Sequence, residues 1–306
     1  MAKAKVPAAV KAPVVKKNVQ NPGSTLGEAI GAAIEKEVNR VLKPIAEKHG
    51  CIYRSTGKQN PKTGKHTKLL LKDSAGNEYN IDSVIANKMN QPLVLVESKY
   101  IRYKKHNRDK GSWICTAHYS LRRTYPTVRK SIAIIAGSWS SSSKAMMESF
   151  DVVLYEVPFD NIVKVLAGYE IDFAWGEKER DKAMVAWEKW ATLKETDYDK
   201  IAKTLLAVIE PQLKKDLAIT LDESTERSIS DAEVIVGTNT GESRRFTFES
   251  TDEAAAFLAE MEVEKILDTT DGPVLWKIEE SKPVKADPCD EMFGDEDSDD
   301  DDESDE

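Results

Sequence analysis

Cysteine and histidine are scarce in this chain, and their spacing excludes several classes of metal site. The three cysteines, at positions 51, 115 and 289, are odd in number and form no Cys-x-x-Cys pair, which argues against a structural zinc and favours a reducing compartment. The four histidines form no His-Glu-x-x-His motif, which argues against zinc-hydrolase chemistry. We therefore expect a cytoplasmic protein without structural zinc.

Long apolar runs are also missing. No stretch approaches the roughly 18 apolar residues of a membrane span, and the N-terminal segment, interrupted by lysine and proline, lacks the apolar core of a signal peptide. The mean hydropathy of −0.49 and the 32% of charged residues are typical of a soluble globular protein, so no membrane partner is expected. The Ser-rich residues 137–144 lack the second glycine and the Lys-Ser/Thr pair of a phosphate-binding loop, so no nucleotide cofactor is expected.

Charge is unevenly distributed along the chain. The formal net charge is −9, yet residues 287–306 contain thirteen acids and no base, so the remainder is mildly basic. Residues 286–306 are predicted to form a disordered acidic tail, which serves solubility or mimics DNA. Residues 1–23 contain five lysines and no acid, which predicts a disordered basic arm that either clamps phosphates or keeps the chain soluble.

Two short β-like runs carry the acids around which the sequence is organised. Asp82 lies in the first run, Tyr79–Ala86, and Glu97, Ser98 and Lys99 follow the apolar part of the second, Leu93–Tyr100. Because residues i and i+2 of a strand share a face, Glu97 and Lys99 should project together and Ser98 away from them. Unpaired buried charge is costly, so this group must be either internally paired or built to bind a ligand.

The two interpretations of this group predict different chemistry. Asp82 and Glu97 could supply the hard oxygen ligands that Mg²⁺ prefers, with Lys99 helping water to attack a phosphorus centre. The alternative is an ordinary ion pair at the end of a strand. A second Glu-x-Lys sequence, at residues 280–282, precedes the acidic tail, and no helix or strand is expected after it to complete a site.

A long amphipathic helix is predicted over residues 25–50, opening on a Thr-x-x-Glu capping-box pattern. Glu37 projects into the middle of its apolar stripe, whereas Glu35 lies off the stripe. Because a carboxylate on a buried face is uncommon, Glu37 is a candidate third acid near the metal or a partner of Lys99. The alternative is a position at the rim of the stripe.

Residues 98–130 are strongly basic, with ten Lys or Arg against one acid and with interleaved aromatic residues. Such a segment suits a polyanion, since each neutralised phosphate adds affinity through counterion release; a solvated charged loop is the alternative. Within it, His118 and Arg122 are one turn apart on a predicted helix and could face a phosphate. The candidate DNA-binding residues are Arg102, Lys104, Lys105, Arg108, Lys110, Arg122 and Arg123.

The predicted organisation places a core at residues 24–175 and a helical plus small α+β extension at residues 176–285. The helical part is predicted to form two helices within residues 177–217. The small part is predicted to contain a hairpin, a helix and a strand, at Glu233–Gly237 with Arg244–Phe248, Asp252–Leu267 and Val274–Ile278. Sequence recognition, homodimerisation and binding of another protein are all open roles for it.

The order of elements over residues 24–160 resembles the core of the PD-(D/E)xK nuclease superfamily, the restriction-endonuclease-like fold. A helix with a buried acid precedes three meander strands, a Glu-x-Lys strand, a basic helix and an apolar strand. The matching residues are Ile81-Asp82, Glu97-Ser98-Lys99 and Glu37. The family's usual proline is Ile81 here, and the chain has no convincing Gln-x-x-x-Tyr of the exonuclease branches, which favours an endonuclease of restriction type.

The resemblance implies an α/β fold in which helices flank a central mixed sheet. It implies Mg²⁺-dependent hydrolysis of phosphodiester bonds in double-stranded DNA, with Mn²⁺ able to substitute. Asp82 and Glu97 would bind the metal together with the backbone carbonyl of Val96 or Ser98, Lys99 would assist the attacking water, and the product would carry a 5′-phosphate. Two alternatives remain: a non-catalytic nucleic-acid-binding protein on this scaffold, and an interaction protein that acts through its tail and C-terminal module.

Overall fold

The computed structural model describes residues 19–56, 68–104 and 107–262. Within them, the strands are β1 Ile52–Ser55, β2 Leu70–Lys72, β3 Glu78–Asn80, β4 Ser83–Ala86, β5 Pro92–Ile101, β6 Lys130–Gly137, β7 Val152–Pro158, β8 Ala232–Gly237 and β9 Ser243–Phe248. The helices are α1 Pro22–Lys48, α2 Asn107–Thr124, α3 Ser141–Glu148, α4 Phe159–Ala167, α5 Arg180–Thr192, α6 Glu195–Leu206, α7 Glu210–Leu221 and α8 Thr251–Glu260.

Five strands form a central mixed sheet in the order β1-β4-β5-β6-β7. β4 is antiparallel to both β1 and β5, whereas β6 is parallel to β5 and β7. The predicted meander is wrong in one respect, because β2 and β3 form a separate hairpin. The run predicted over residues 79–86 is interrupted at Ile81 and Asp82, so only its second half joins the central sheet.

Helices cover both faces of the sheet, as predicted for an α/β protein. Val94 and Val96 of β5 pack in the main core with α1 and α4, whereas Leu95 packs on the other face against Ala117 and Leu121 of α2. β5 is therefore apolar on both faces, as expected of a strand inside a covered sheet. The same alternation places Glu97 and Lys99 on the α2 face and Ser98 on the α1 face.

α1 begins one turn earlier than the capping-box pattern predicts. The Asn21 side chain accepts a hydrogen bond from the Ser24 N–H at 3.1 Å, and Pro22 takes the first helical position, where no N–H is needed. The Thr25 hydroxyl instead donates to the Asn21 carbonyl at 2.8 Å. The resulting 27-residue helix carries both Glu35 and Glu37.

The first of two compact units ends at Asp222. α5, α6 and α7 pack against α1, and their apolar side chains, such as Trp190, Leu205 and Leu213, belong to the main core. The predicted boundary at residue 175 therefore falls inside this unit. The region predicted as two helices contains three, because the chain turns again between α6 and α7.

The second unit begins at Glu223, and its described part is a hairpin with one helix. β8 and β9 pair as predicted, and the ring of Phe257 on α8 lies 4.6 Å from that of Phe246 and 5.1 Å from that of Phe248. α8 ends at Glu260 rather than at residue 267. The predicted strand at 274–278, the Glu-x-Lys sequence at 280–282, the acidic tail and residues 1–18 of the basic arm lie outside the described residues. The predicted arm ends too late, because α1 begins at Pro22.

Among the described helices, none combines the length and the apolar character that a membrane span requires.

Gly137 at the end of β6 permits a close backbone approach that no other residue allows. Its φ is +96°, and a Cβ atom there would lie 1.9 Å from the Ile101 carbonyl oxygen. Gly76 has a similar φ of +89° with open space around it. We expect Gly137→Ala to lower the free energy of unfolding by several kcal/mol and Gly76→Ala by about 1 kcal/mol. Urea denaturation measures both, and equal losses would contradict the close approach.

Candidate active site

Asp82, Glu97 and Lys99 meet where β4 and β5 lie side by side. Ser83 pairs with Val96 across the two strands, so Asp82, just before β4, lies opposite Glu97. Lys99 Nζ lies 2.9 Å from Asp82 Oδ2 and 2.6 Å from Glu97 Oε2. The structure thus brings together the three residues that the spacing singled out.

Backbone groups fix the orientation of both carboxylates. The Ser98 N–H donates to Asp82 Oδ2 at 2.9 Å, and the Asp82 N–H donates to Glu97 Oε1 at 3.3 Å. The Asp82 carboxylate therefore accepts a hydrogen bond from a peptide N–H of β5, and the Asp82 peptide N–H donates to the carboxylate of Glu97 on β5. This reciprocal pairing orients the two acids through the main chain rather than through mobile side chains.

The electrostatics of the group are dominated by burial. Glu97 is fully buried, which raises the pKa of its carboxyl to about 8 even though Lys99 lowers it. Burial lowers the pKa of Lys99, but the charges of Glu97 and Asp82 outweigh it, so that the pKa of Lys99 lies above its ordinary value. Lys99 is therefore a permanent cation between two acids.

The same residues fit a divalent cation. Glu97 Oε2 is buried, and its charged neighbour is Lys99 Nζ at 2.6 Å, a cation in the position where a metal ion would meet both acids. Within the described part of the chain, no cluster of three or more His, Cys, Asp or Glu residues is arranged as a metal site. Mg²⁺ does not require one, because it is commonly held by one or two carboxylates with the remaining positions filled by water.

Glu35 is the acid of α1 that lies at this group. The Thr56 hydroxyl is 3.4 Å from Glu35 Oε1 and 3.3 Å from the Asp82 carbonyl oxygen, so it joins the helix to the Asp82 turn. Burial, followed by the negative charge of Asp82, raises the pKa of Glu35, while the charge of Lys99 lowers it. Glu35 is therefore the third acid within electrostatic reach of the pair.

The assignment of the helix acid to Glu37 is corrected by the structure. Glu37 is buried, as predicted, but its carboxylate accepts from Arg40, with Nε at 2.6 Å, and lines a cavity beside Asp199 of α6. The apolar stripe of α1 is broad enough to contact both α6 and β5. The burial of a residue on this stripe therefore does not show whether it contacts α6 or β5.

The sequence does contain a signal for Glu35. Gly27, Gly31 and Glu35 are spaced by four and so form one row along α1. A Cβ atom added at Gly27 or Gly31 would contact the Tyr100 side chain at 3.0 or 3.3 Å, which shows that this row faces β5. A glycine row that continues into an acid is the feature that points to the site.

His118 lies on the buried face of α2 and is fully buried. Neither ring nitrogen has a hydrogen-bond partner among the described residues. Burial, followed by the charge of Lys99, lowers the pKa of His118 to about 3, so the imidazole is neutral. His118 is therefore not exposed to a phosphate, contrary to the prediction, whereas Arg122 is partly exposed and forms an ion pair with Asp151 at 3.3 Å. A role of Arg122 at a phosphate stays a prediction.

Arg102 is not a surface residue, which corrects its assignment to DNA binding. It is 9% exposed and donates to the carbonyl oxygens of Phe173 and Trp175 at 3.0 and 2.6 Å. The guanidinium carbon lies 3.5 Å from the Trp175 ring centroid and 4.1 Å from that of Phe173. Arg102 therefore fixes the chain after β5 to the 173–175 segment.

The other basic candidates remain on the surface or outside the described residues. Lys104, Arg108 and Lys110 are exposed, and Arg123 is exposed with a hydrogen bond to the Tyr119 hydroxyl at 3.0 Å. Lys105 lies outside the described residues. Of the predicted basic face, the first turn of α2 is the part that both faces solvent and adjoins the acids.

A cleft of about 990 Å³ opens beside the site. It runs along the first half of α1 to the end of β5, and its lining includes Glu35, Ser98, Tyr100, Lys110 and Arg180. Asp82, Glu97 and Lys99 do not line the cleft. Ser98, which does, donates its N–H to Asp82, so one end of the cleft lies next to the acids.

Comparisons with known proteins add little to this geometry. No model of a known protein family matches the chain, and no curated protein does. Among solved structures, the crystal structure of a protein of unknown function, AF1548, is 12% identical and covers 60% of this chain and 98% of its own, with a TM-score of 0.28. A likeness at this level carries no argument. The site has to be interpreted from its own residues.

Proposed function

We propose that this chain is a Mg²⁺-dependent endonuclease of restriction type that hydrolyses phosphodiester bonds in double-stranded DNA. The observation that carries the proposal is the contact of Lys99 with both Asp82 and Glu97 at the paired ends of β4 and β5. An ordinary surface ion pair needs one acid and little burial. Here a fully buried acid, a second acid and a lysine converge at the edge of a cleft.

The sheet supports the proposed restriction-endonuclease-like fold. Helix α1 precedes an antiparallel group, β1, β4 and β5, and the basic helix α2 then leads to β6, which is parallel to β5. This order agrees with the one that the resemblance implies, except that the middle strand of the expected meander belongs to the separate β2–β3 hairpin. The inserted hairpin and the helices after β7 are additions to that order.

In the proposed mechanism the chain supplies position and charge. Asp82 and Glu97 would hold Mg²⁺, which when bound polarises the phosphate and acidifies the attacking water. Lys99 donates to the phosphate oxygen on which negative charge develops, and the Ser98 N–H keeps the Asp82 carboxylate in place. Water attacks phosphorus and gives up a proton to solvent, the bond to O3′ breaks and O3′ takes up a proton from solvent, and the 5′-phosphate remains on the other fragment.

Exposed cations beside the acids support a polyanionic substrate. Arg108 and Lys110 lie on the first turn of α2, and Lys110 lines the cleft that ends at Glu35. Contacts to phosphates at these positions would add affinity that falls with salt concentration. The buried Arg102 is excluded from this role.

The test is cleavage of a panel of plasmid and phage DNA by the full chain, with Mg²⁺, with Mn²⁺ and with EDTA. Discrete fragments that require metal would support a sequence-specific nuclease, and a metal-dependent smear would support a non-specific one. Intact DNA under all metal conditions, with retained DNA binding, would replace the proposal by a non-catalytic nucleic-acid-binding protein.

Glu35 and Glu37 provide a matched pair of substitutions on one helix. We expect Glu35→Gln to lower the cleavage rate about 10- to 100-fold, because outer acids that orient a metal site typically have effects of this size. Glu37→Gln should leave cleavage unchanged and lower the melting temperature, because it weakens the pair with Arg40. Initial rates and thermal melts of both variants test this, and a loss of cleavage in Glu37→Gln alone would contradict the assignment.

A further inference from the structure

Trp113 on α2 is an exposed aromatic side chain beside the candidate active site. It is 39% exposed, whereas Trp139, Trp175 and Trp190 are buried. The exposed part of this side chain could be buried against a ligand, and that burial would be favourable.

The ring lies beside Lys99 and one helical turn after a residue that lines the cleft. Its centroid lies 5.8 Å from Lys99 Nζ. Lys110, which is three residues earlier and therefore on the same side of the helix, lines the cleft together with Glu35 and Ser98. The indole thus stands beside the lysine that would contact the scissile phosphate, within the span of a single nucleotide.

We propose that Trp113 stacks on the nucleobase next to the scissile phosphate, so that the preferred DNA has an unpaired base there. This inference rests on the proposed nuclease function and specifies its substrate. A base inside an intact duplex has both faces covered by its neighbours, whereas an unpaired or flipped base can stack on an aromatic side chain. Within double-stranded DNA, such bases occur at bulges, junctions and frayed ends.

A purely structural role for Trp113 accounts for less of what is observed. A contact between the indole and Lys99 explains why the ring is near the lysine. It does not explain why a large apolar side chain stays exposed on the helix turn that follows the exposed Lys110. Stacking on a base would use the exposed area and the nearby cations together, which is the usual composition of a site for single-stranded nucleic acid.

The experiment measures tryptophan emission of the full chain in EDTA, so that binding is separated from cleavage. The titrants are a 15-nucleotide single strand, its duplex and the same duplex with a central three-nucleotide bulge. The variants are Trp113→Phe and Trp113→Ala, with Tyr119→Ala as the control, because Tyr119 is an exposed aromatic residue on the same helix that makes an edge-to-face contact with Phe150.

The single strand and the bulged duplex are expected to quench the wild-type emission, and the intact duplex is not. Trp113→Phe should lose the quenching but retain affinity, whereas Trp113→Ala should weaken binding of the single strand about 10-fold and Tyr119→Ala should not. Equal quenching by the intact duplex, or wild-type affinity of Trp113→Ala for the single strand, would overturn the inference. Quenching in a protein that never cleaves would overturn the nuclease proposal while supporting the stacking site.

Discussion

Replacement of Lys99 by alanine is expected to lower the rate of Mg²⁺-dependent DNA cleavage by about 10²- to 10³-fold, which is the usual effect of removing one preorganised donor to developing negative charge. The side chain reaches both Asp82 and Glu97 within 2.9 Å, so no neighbouring cation takes its place. DNA affinity should change little, because the exposed cations of α2 remain. Single-turnover cleavage with saturating protein measures the rate, and filter binding in EDTA measures the affinity.

Lys144 offers a closely matched control for this substitution. Its side chain is 30% exposed, against 27% for Lys99, and it lies 2.9 Å from Glu156 Oε2 on another part of the same sheet. Lys144→Ala should therefore show what the loss of a half-buried ion pair does to folding, with cleavage unchanged. If Lys99→Ala folds, binds DNA and cleaves at the wild-type rate, Lys99 is a structural residue and the mechanism proposed here is wrong.

The affinity of the site for Mg²⁺ is expected to rise by up to about tenfold per pH unit between pH 6 and pH 8, because a carboxyl ligand must lose its proton before it can bind. Burial raises the pKa of Glu97 to about 8, so that below this pH the proton competes with the metal. Isothermal titration of the protein with Mg²⁺ across this range measures the effect. A Kd that is independent of pH would show that Glu97 is not a ligand.

The stability of the metal-free protein should fall as the pH rises, whereas the affinity for Mg²⁺ rises. Because the pKa of Glu97 is higher in the folded chain than in the unfolded chain, the folded chain binds more protons between about pH 4.5 and 8. The contribution of Glu97 to the free energy of unfolding is therefore complete at low pH and is lost as the pH rises through about 8. Thermal melts should show this decline in the wild type and not in Glu97→Gln, and added Mg²⁺ should restore stability most at high pH.

The parts of the site that lie on one strand could be predicted from the sequence. The period of two in a strand places Glu97 and Lys99 on one face whatever the rest of the chain does. Asp82 could be proposed because it lies in the preceding strand-like run. Its register against Glu97, however, depends on the interruption before β4, which no local pattern shows.

The wrong assignments of Glu37 and Arg102 share one cause. Patterns of charge and burial in the sequence do not identify the helix or strand that a side chain contacts. The apolar stripe of α1 predicts that Glu37 is buried, but α6, more than 150 residues later, is what buries it. Arg102 lies in a basic run, and three of the four rings around it come from residues 159–175, the fourth being Tyr103. Both outcomes depend on long-range packing, which a local reading of residue types cannot supply.

The enclosure of Arg102 has a consequence for how the site selects its substrate. Arg102 binds the 173–175 segment directly after β5, and the Ile101 carbonyl oxygen is held against Gly137 and accepts from the Ser138 N–H at 2.8 Å. The strand end that carries Lys99 is thus anchored on two sides and needs little reorganisation when a ligand arrives. In the proposed nuclease, a rigid centre of this kind would require the DNA to deform in order to reach it. Sequences and structures that deform easily would then be cleaved first.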